Sequence, residues 1–115
     1  MSASSQKQDK FVYFVHGYSG CGYFDNACRC VQTAAARDER VSLKRVESSR
    51  PEFKKWLRDN NDAVGSHRTS PACFENEQTK EHFIGGCDDL CAHVNKKFPA
   101  QNGSSVNQGE SCLLL

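Results

Sequence analysis

At 115 residues, 37% of them apolar and 25% charged, the chain has the size of a single domain with a modest core. Lys plus Arg number 15 against 14 Asp plus Glu, a formal charge of +1, which gives no electrostatic case for nucleic-acid binding. No run is apolar and long enough to form a membrane-spanning helix.

Residues 1–10 are polar and are expected to form a flexible segment. Seven cysteines in so short a chain admit a disulfide-stapled secreted domain. The opening residues hold no apolar segment of signal-peptide length, however, and the cysteine count is odd. The expectation is therefore free thiols in a cytoplasmic redox environment.

Phe11–Val15, Phe-Val-Tyr-Phe-Val, is a continuous aromatic and β-branched run that predicts a buried central strand, followed by a His-Gly-Tyr-Ser-Gly loop. From Gly22 onward, Phe24, Ala27, Val31 and Ala34 recur at helical spacing, with Cys30 beside them, and predict a helix ending near Asp38. Val41–Val46 alternates as a second strand. Ser49 with Glu52 reads as a capping box, Pro51 suits a first helical turn, and Phe53, Trp56 and Leu57 form the apolar face behind them. Arg58–Asp62 is a polar stop leading into a loop that runs to Ser70.

Pro71 precedes a third strand, Ala72–Glu75, and Glu81–Ile84 predicts a fourth, antiparallel to it and broken by Gly85-Gly86. Asp88 and Asp89 suit the start of a last helix, where negative charge is favoured, and Leu90, Cys91, Val94 and Phe98 supply its buried face. The order β-α-β-α-β-β-α predicts an α/β fold, a four-stranded mixed sheet with helices on its faces. Residues 99–115 form a polar tail ending in Cys112-Leu113-Leu114-Leu115, a prenylation pattern. It predicts lipidation of Cys112 and peripheral attachment to the cytosolic face of a membrane, reversible with one prenyl chain.

The chemistry centres on Ser19–Phe24, Ser-Gly-Cys-Gly-Tyr-Phe. A cysteine opening a helix faces the unpaired N–H groups of the first turn and the positive end of the helix dipole, which favour thiolate over thiol. Gly20 and Gly22 leave the Cys21 sulfur approachable. Phe24 stands where a dithiol redox helix carries its second cysteine, so Cys21 would act alone. A half-buried helix cap without reactivity is the competing reading.

Three motifs carry a resemblance: Cys21-Gly22-Tyr23-Phe24, Thr69-Ser70-Pro71 and Gly85-Gly86-Cys87-Asp88-Asp89-Leu90. With them, Phe11–Phe98 resembles a glutaredoxin-like protein of the thioredoxin-fold superfamily, in a monothiol variant. The resemblance implies a cis peptide at Pro71 facing Cys21, with the backbone of Ser70 receiving glutathione much as an added strand would. It implies that Gly86, Cys87 and Asp88 hold the γ-glutamyl end, with Asp89 on the ligand amine or capping the helix. Tyr23 would flank the sulfur, and Arg68 would receive the glycyl carboxylate or remain a solvated surface residue. The chain departs from the family at Tyr18, which stands where a lysine is usual and supplies no positive field.

The implied activity is glutathione-dependent, or related small-thiol-dependent, thiol–disulfide exchange on glutathionylated or disulfide-containing proteins. The protein would be a monomer, unless a [2Fe–2S] cluster joins two copies as in some monothiol relatives. Cluster carrier or sensor, and a redox-inactive adaptor, are the alternative functions. Cys30 and Cys73 read as packing residues. Cys87 and Cys91 could form an accessory redox pair, or half a zinc site with His93 completed by Cys28 or Cys30, although the spacing follows no strong zinc pattern. His16, at the end of the first strand, either borders the site or is a loop histidine.

Overall fold

The computed structural model describes residues 10–99; residues 1–9 and 100–115, and with them Cys112 and its prenylation pattern, lie outside the described part. Strand β1 spans Phe11–Tyr18, continuing past Val15 through His16, Gly17 and Tyr18. It gains that length because β2, Val41–Ser48, pairs with it in parallel along its whole run, from Phe11 opposite Val41 to Tyr18 opposite Ser48. Strand β3, Ala72–Glu75, lies antiparallel on the other side of β1, and β4, Phe83–Gly85, pairs antiparallel with β3. The sheet order is β2-β1-β3-β4, so β1 is central, as its unbroken apolar run predicts.

Side chains alternate across this sheet and divide the interior in two. Tyr13, Val15 and Cys73 face one side, where they meet Phe24, Ala27, Val31 and Ala34 of α1, Gly22–Arg37, and Leu90 and Val94 of α4, Cys87–Lys97. Ala72 and Phe74 face the other, against Phe53 and Leu57 of α2, Arg50–Asp59, and Val64 of the single-turn α3, Asn61–Val64. Sequence periodicity does not find α3, which is too short to show a period, and leaves it in the loop to Ser70.

Local chemistry sets the element ends. Ser49 Oγ accepts from the Glu52 N–H at 3.2 Å while the Ser49 N–H donates to Glu52 Oε1 at 3.0 Å. This is the capping box that the sequence predicts, a motif whose cap contributes about 1 kcal/mol. The fourth strand starts later than expected: Lys80–His82 form a 3-10 turn, and pairing begins at Phe83. Gly85 belongs to the strand instead of breaking it. It sits at φ 132°, where a side chain is strained, and the Asp89 carboxylate packs over its bare Cα.

The free-thiol expectation fails for two cysteines. Cys30 of α1 and Cys91 of α4 form a disulfide with their Cα atoms 5.6 Å apart and a sequence separation of 61. Both are half-buried at the seam between the two helices. Cys30 lies beside the fully buried stripe instead of within it, so it faces the neighbouring helix and not the core. Cys91 is thereby unavailable to Cys87 as an accessory pair, and neither Cys30 nor Cys91 can serve a zinc site. No helix of the described residues is long and apolar enough to cross a membrane.

Candidate active site

The carboxyl end of β1 leads through a tight loop to the amino end of α1. The Cys21 N–H donates to the Tyr18 carbonyl at 3.3 Å, and Cys21 takes the N-cap position of the helix with an extended backbone. Gly20, at φ 86°, makes the turn before it. The loop is tied to β2 by the Ser19 N–H on the Ser48 carbonyl and by Ser19 Oγ on Glu47 Oε2 at 2.6 Å. These bonds hold Cys21 at the edge of the sheet, 9% exposed.

The sulfur does not point as the sequence suggests. Cys21 makes no side-chain bond to the first-turn N–H groups. Instead Sγ is directed at the Ser70 carbonyl, 3.9 Å away. The Ser70-Pro71 peptide is cis, as the resemblance implies, and this segment forms the wall opposite the cysteine.

Phe24 fills the space a second thiol would need. Its ring is fully buried and packs on Gly17, where any side chain would overlap ring carbons Cδ1 and Cγ. The Arg45 guanidinium covers the ring at 4.4 Å from its centroid and is held in turn by Asp25 and Glu47 at 3.2 and 3.0 Å. Neither Gly17 nor Arg45 carries a sequence signal for this role. Only the distance in space between β1, α1 and β2 shows it.

The remaining predicted residues divide. Gly86 is the N-cap of α4, Cys87 is half-buried, and Asp88 and Asp89 are exposed in its first turn. Gly86 also lies beside the Ser70-Pro71 segment, since a Cβ on it would stand 3.7 Å from the Pro71 carbonyl. The structure thus brings Cys21, Ser70, Pro71, Gly86 and Cys87 into one region. Asp89 instead folds over Gly85. Arg68 is turned onto its own loop, its Nη1 donating to the Gly65 and His67 carbonyls at 2.9 Å each. Tyr23 is 65% exposed and stands next to Cys21 in sequence, on the rim of a shallow groove of about 360 Å³ lined also by Gly22, Asp25, Asn26 and Arg29.

A residue that sequence reasoning missed is His67. Its Nε2 bonds the Pro71 carbonyl at 3.0 Å, which requires the Nε2–H tautomer, and its ring meets Phe83 edge-on at 5.3 Å. It braces the cis-proline segment against β4. His16, by contrast, belongs to the other face: it is buried, stacked on Trp56 at 4.2 Å and bonded to Gln78 Oε1. Burial lowers its pKa, and it does not border Cys21 on that side of the sheet.

The free cysteines Cys28, Cys73 and Cys87 are disfavoured as thiolates. Burial pushes the thiols of Cys28 and Cys87 up and that of Cys73 well up; at Cys87 the neighbouring Asp88 and Cys21 charges add to the effect. No group of three or more His, Cys, Asp or Glu among the described residues could hold a metal ion. Two free thiols, Cys21 and the half-buried Cys87, stand in this region. A larger groove of about 500 Å³ lies elsewhere, between β4 and α4, lined by Glu75, Glu81, His82, Ile84, Asp89 and His93 among others. None of the residues lining it is a cysteine.

No protein-family model and no curated protein sequence matches this chain. Solved structures do. The reduced glutaredoxin of Escherichia coli is similar with a TM-score of 0.60 and 21% identity, over 77% of this chain and 99% of that one. Glutaredoxin 1 from Francisella tularensis, complexed with cacodylate, gives 0.52 and 16%, over 78% and 99%. Thioredoxin f2 of Chlamydomonas reinhardtii gives 0.50 and 20%, over 84% and 86%. At these identities the likeness establishes the fold: the α/β, thioredoxin-like arrangement expected from the sequence is the one observed.

Proposed function

We propose that the chain is a thiol–disulfide oxidoreductase that works through Cys21 alone, with glutathione or a related small thiol as co-substrate, on glutathionylated or disulfide-containing proteins. One observation carries this reading: Cys21 caps a helix with its sulfur against the cis-proline segment, while the position one turn on is filled by a buried phenylalanine. A nucleophile, a backbone edge beside it and a blocked second position are the requirements of a monothiol exchange.

The exchange runs in two displacements. Cys21 thiolate attacks the glutathione sulfur of a protein–glutathione disulfide; that S–S bond breaks and the protein leaves as a thiolate that takes a proton from water. A second glutathione thiolate then attacks the glutathione sulfur bound to Cys21, releasing oxidised glutathione and restoring Cys21 thiolate. Across the two steps, the mixed disulfide and one free glutathione become the protein thiol and oxidised glutathione, with Cys21 regenerated. Ser70 offers main-chain groups beside Cys21, and the first turn of α4 at Gly86, Cys87 and Asp88 offers N–H groups to a ligand carboxylate.

Turnover of a glutathionylated peptide by the full chain tests the proposal. Activity that falls to background in Cys21→Ser, and survives in Cys87→Ser, is the expected result. Folded wild-type protein without glutathione-dependent turnover would overturn it.

A further inference from the structure

Ser70 Oγ is a buried side-chain polar atom with no hydrogen-bond partner among the described residues, on a residue only 9% exposed. A hydroxyl sealed away from water without a partner is costly, and native proteins keep few of them. Its location suggests a use. The carbonyl of the same residue stands 3.9 Å from Cys21 Sγ. The hydroxyl lies over Gly17, 2.8 Å from where a Cβ on that glycine would be, and the Phe24 ring packs against the same spot. The hydroxyl therefore sits at the contact of Gly17 with the Phe24 ring, on the same residue whose carbonyl faces the sulfur.

We propose that the Ser70 hydroxyl is the hydrogen-bond donor to Cys21 Sγ whenever that sulfur carries charge, and so is a catalytic residue of the exchange. The inference rests on the reading of Cys21 as the reacting thiol. In the resting thiol the sulfur is itself a donor, and the Ser70 carbonyl is its acceptor. Once deprotonated, or released as a leaving group in the second displacement, the sulfur is purely an acceptor and a carbonyl no longer suits it. The motion this requires is a change of Ser70 χ1 between staggered wells, which re-aims a serine hydroxyl without moving the backbone. The unpartnered hydroxyl is thus a donor held in reserve for the charged state.

The nearby cations leave this task open. Arg45 is engaged with Asp25 and Glu47, and Arg68 with the Gly65 and His67 carbonyls. Tyr18, where a positive charge might have stood, packs its ring on Phe53 at 5.9 Å, and the Arg50 guanidinium is engaged over that ring, 5.4 Å from its centroid.

The test reads the sulfur itself. The full chain is alkylated with iodoacetamide across a range of pH, and modification of Cys21 is followed by mass analysis of its peptide. Ser70→Ala is expected to react about tenfold more slowly at neutral pH, a factor corresponding to about 1.4 kcal/mol, while Ser70→Thr keeps the wild-type curve. Melting of Ser70→Ala should be unchanged or higher, because an unpaired buried hydroxyl has been removed. Should Ser70→Ala fold poorly, Ser70→Thr against Ser70→Val makes the same comparison at matched shape, and Val is expected to be the slower. Coincident curves for the hydroxyl and non-hydroxyl variants, with wild-type Cys21 reactive, would overturn this inference and leave the oxidoreductase reading standing. A wild-type Cys21 that does not react would instead overturn that reading.

Discussion

Gly17→Ala is the substitution most directly constrained by the packing around Cys21. A methyl at position 17 would stand 2.8 Å from Ser70 Oγ and closer still to Cδ1 and Cγ of Phe24. Relaxed carbon contacts need about 3.5–4.0 Å, so the ring would have to retreat by roughly an ångström. It has nowhere to go, being fully buried with the Arg45 guanidinium across its face at 4.4 Å. Overpacking of this kind costs about 1–3 kcal/mol, and confinement on both faces places the expected loss near 3. For a domain of this size that lowers Tm by roughly 12 °C.

A double-mutant cycle isolates the contact. Phe24→Ala alone should cost about 3–5 kcal/mol. In that background the methyl at 17 occupies vacated space, so adding Gly17→Ala should cost little, giving a coupling of roughly 2–3 kcal/mol. Urea unfolding followed by circular dichroism supplies all four stabilities. Additive losses would refute the claim that Gly17 is there to admit the Phe24 ring.

Two further expectations concern stability. The Cys30–Cys91 bridge closes a loop with 61 residues of separation, for which chain entropy gives about 4 kcal/mol; Cys30→Ser/Cys91→Ser should lose a comparable amount in urea unfolding, and equal stability of wild type and variant would show that the bridge does not form. Glu75 is half-buried, and that desolvation opposes its ionisation, yet bonds from Lys97, Tyr13 and His93 outweigh this and hold its pKa at about 2 against an ordinary 4.5. A carboxyl depressed in the folded state stabilises above its unfolded pKa and loses that contribution as pH falls through the folded one. Between pH 5 and 2 the wild type should therefore lose on the order of 1–3 kcal/mol more than Glu75→Gln, solvent screening included. Parallel acid titrations of the two proteins would contradict this.

The sheet was legible in the sequence because its strands differ in kind: a continuous apolar run for the doubly covered β1, an alternating one for β2, and a short run after Pro71 for β3. The amphipathic stripe of α1 and the capping box of α2 were equally plain, since both are local signals. What escaped depends on contacts distant in sequence. Cys30 and Cys91 each look like ordinary helix residues, and nothing along the chain pairs them. Phe24 was read as a missing thiol, but its partners Gly17 and Arg45 come from two different strands. Ser70 was expected to contribute through its backbone, and the isolation of its hydroxyl appears only once Gly17 and Phe24 are placed beside it. The helix-start argument placed Cys21 at the opening of α1, where the structure has it, while its sulfur is directed at the cis-proline segment and not at the helix N–H groups.

The bridge between α1 and α4 also has a topological meaning. It makes residues 30–91 a closed covalent ring, and that ring contains β2, β3, β4, the cis-proline segment and the start of α4. Cys21 lies outside it, on the arm that enters the ring. The candidate nucleophile is therefore presented by a segment outside the covalent ring, and the surfaces that would receive its substrate belong to a loop that a single backbone cut could open but not divide.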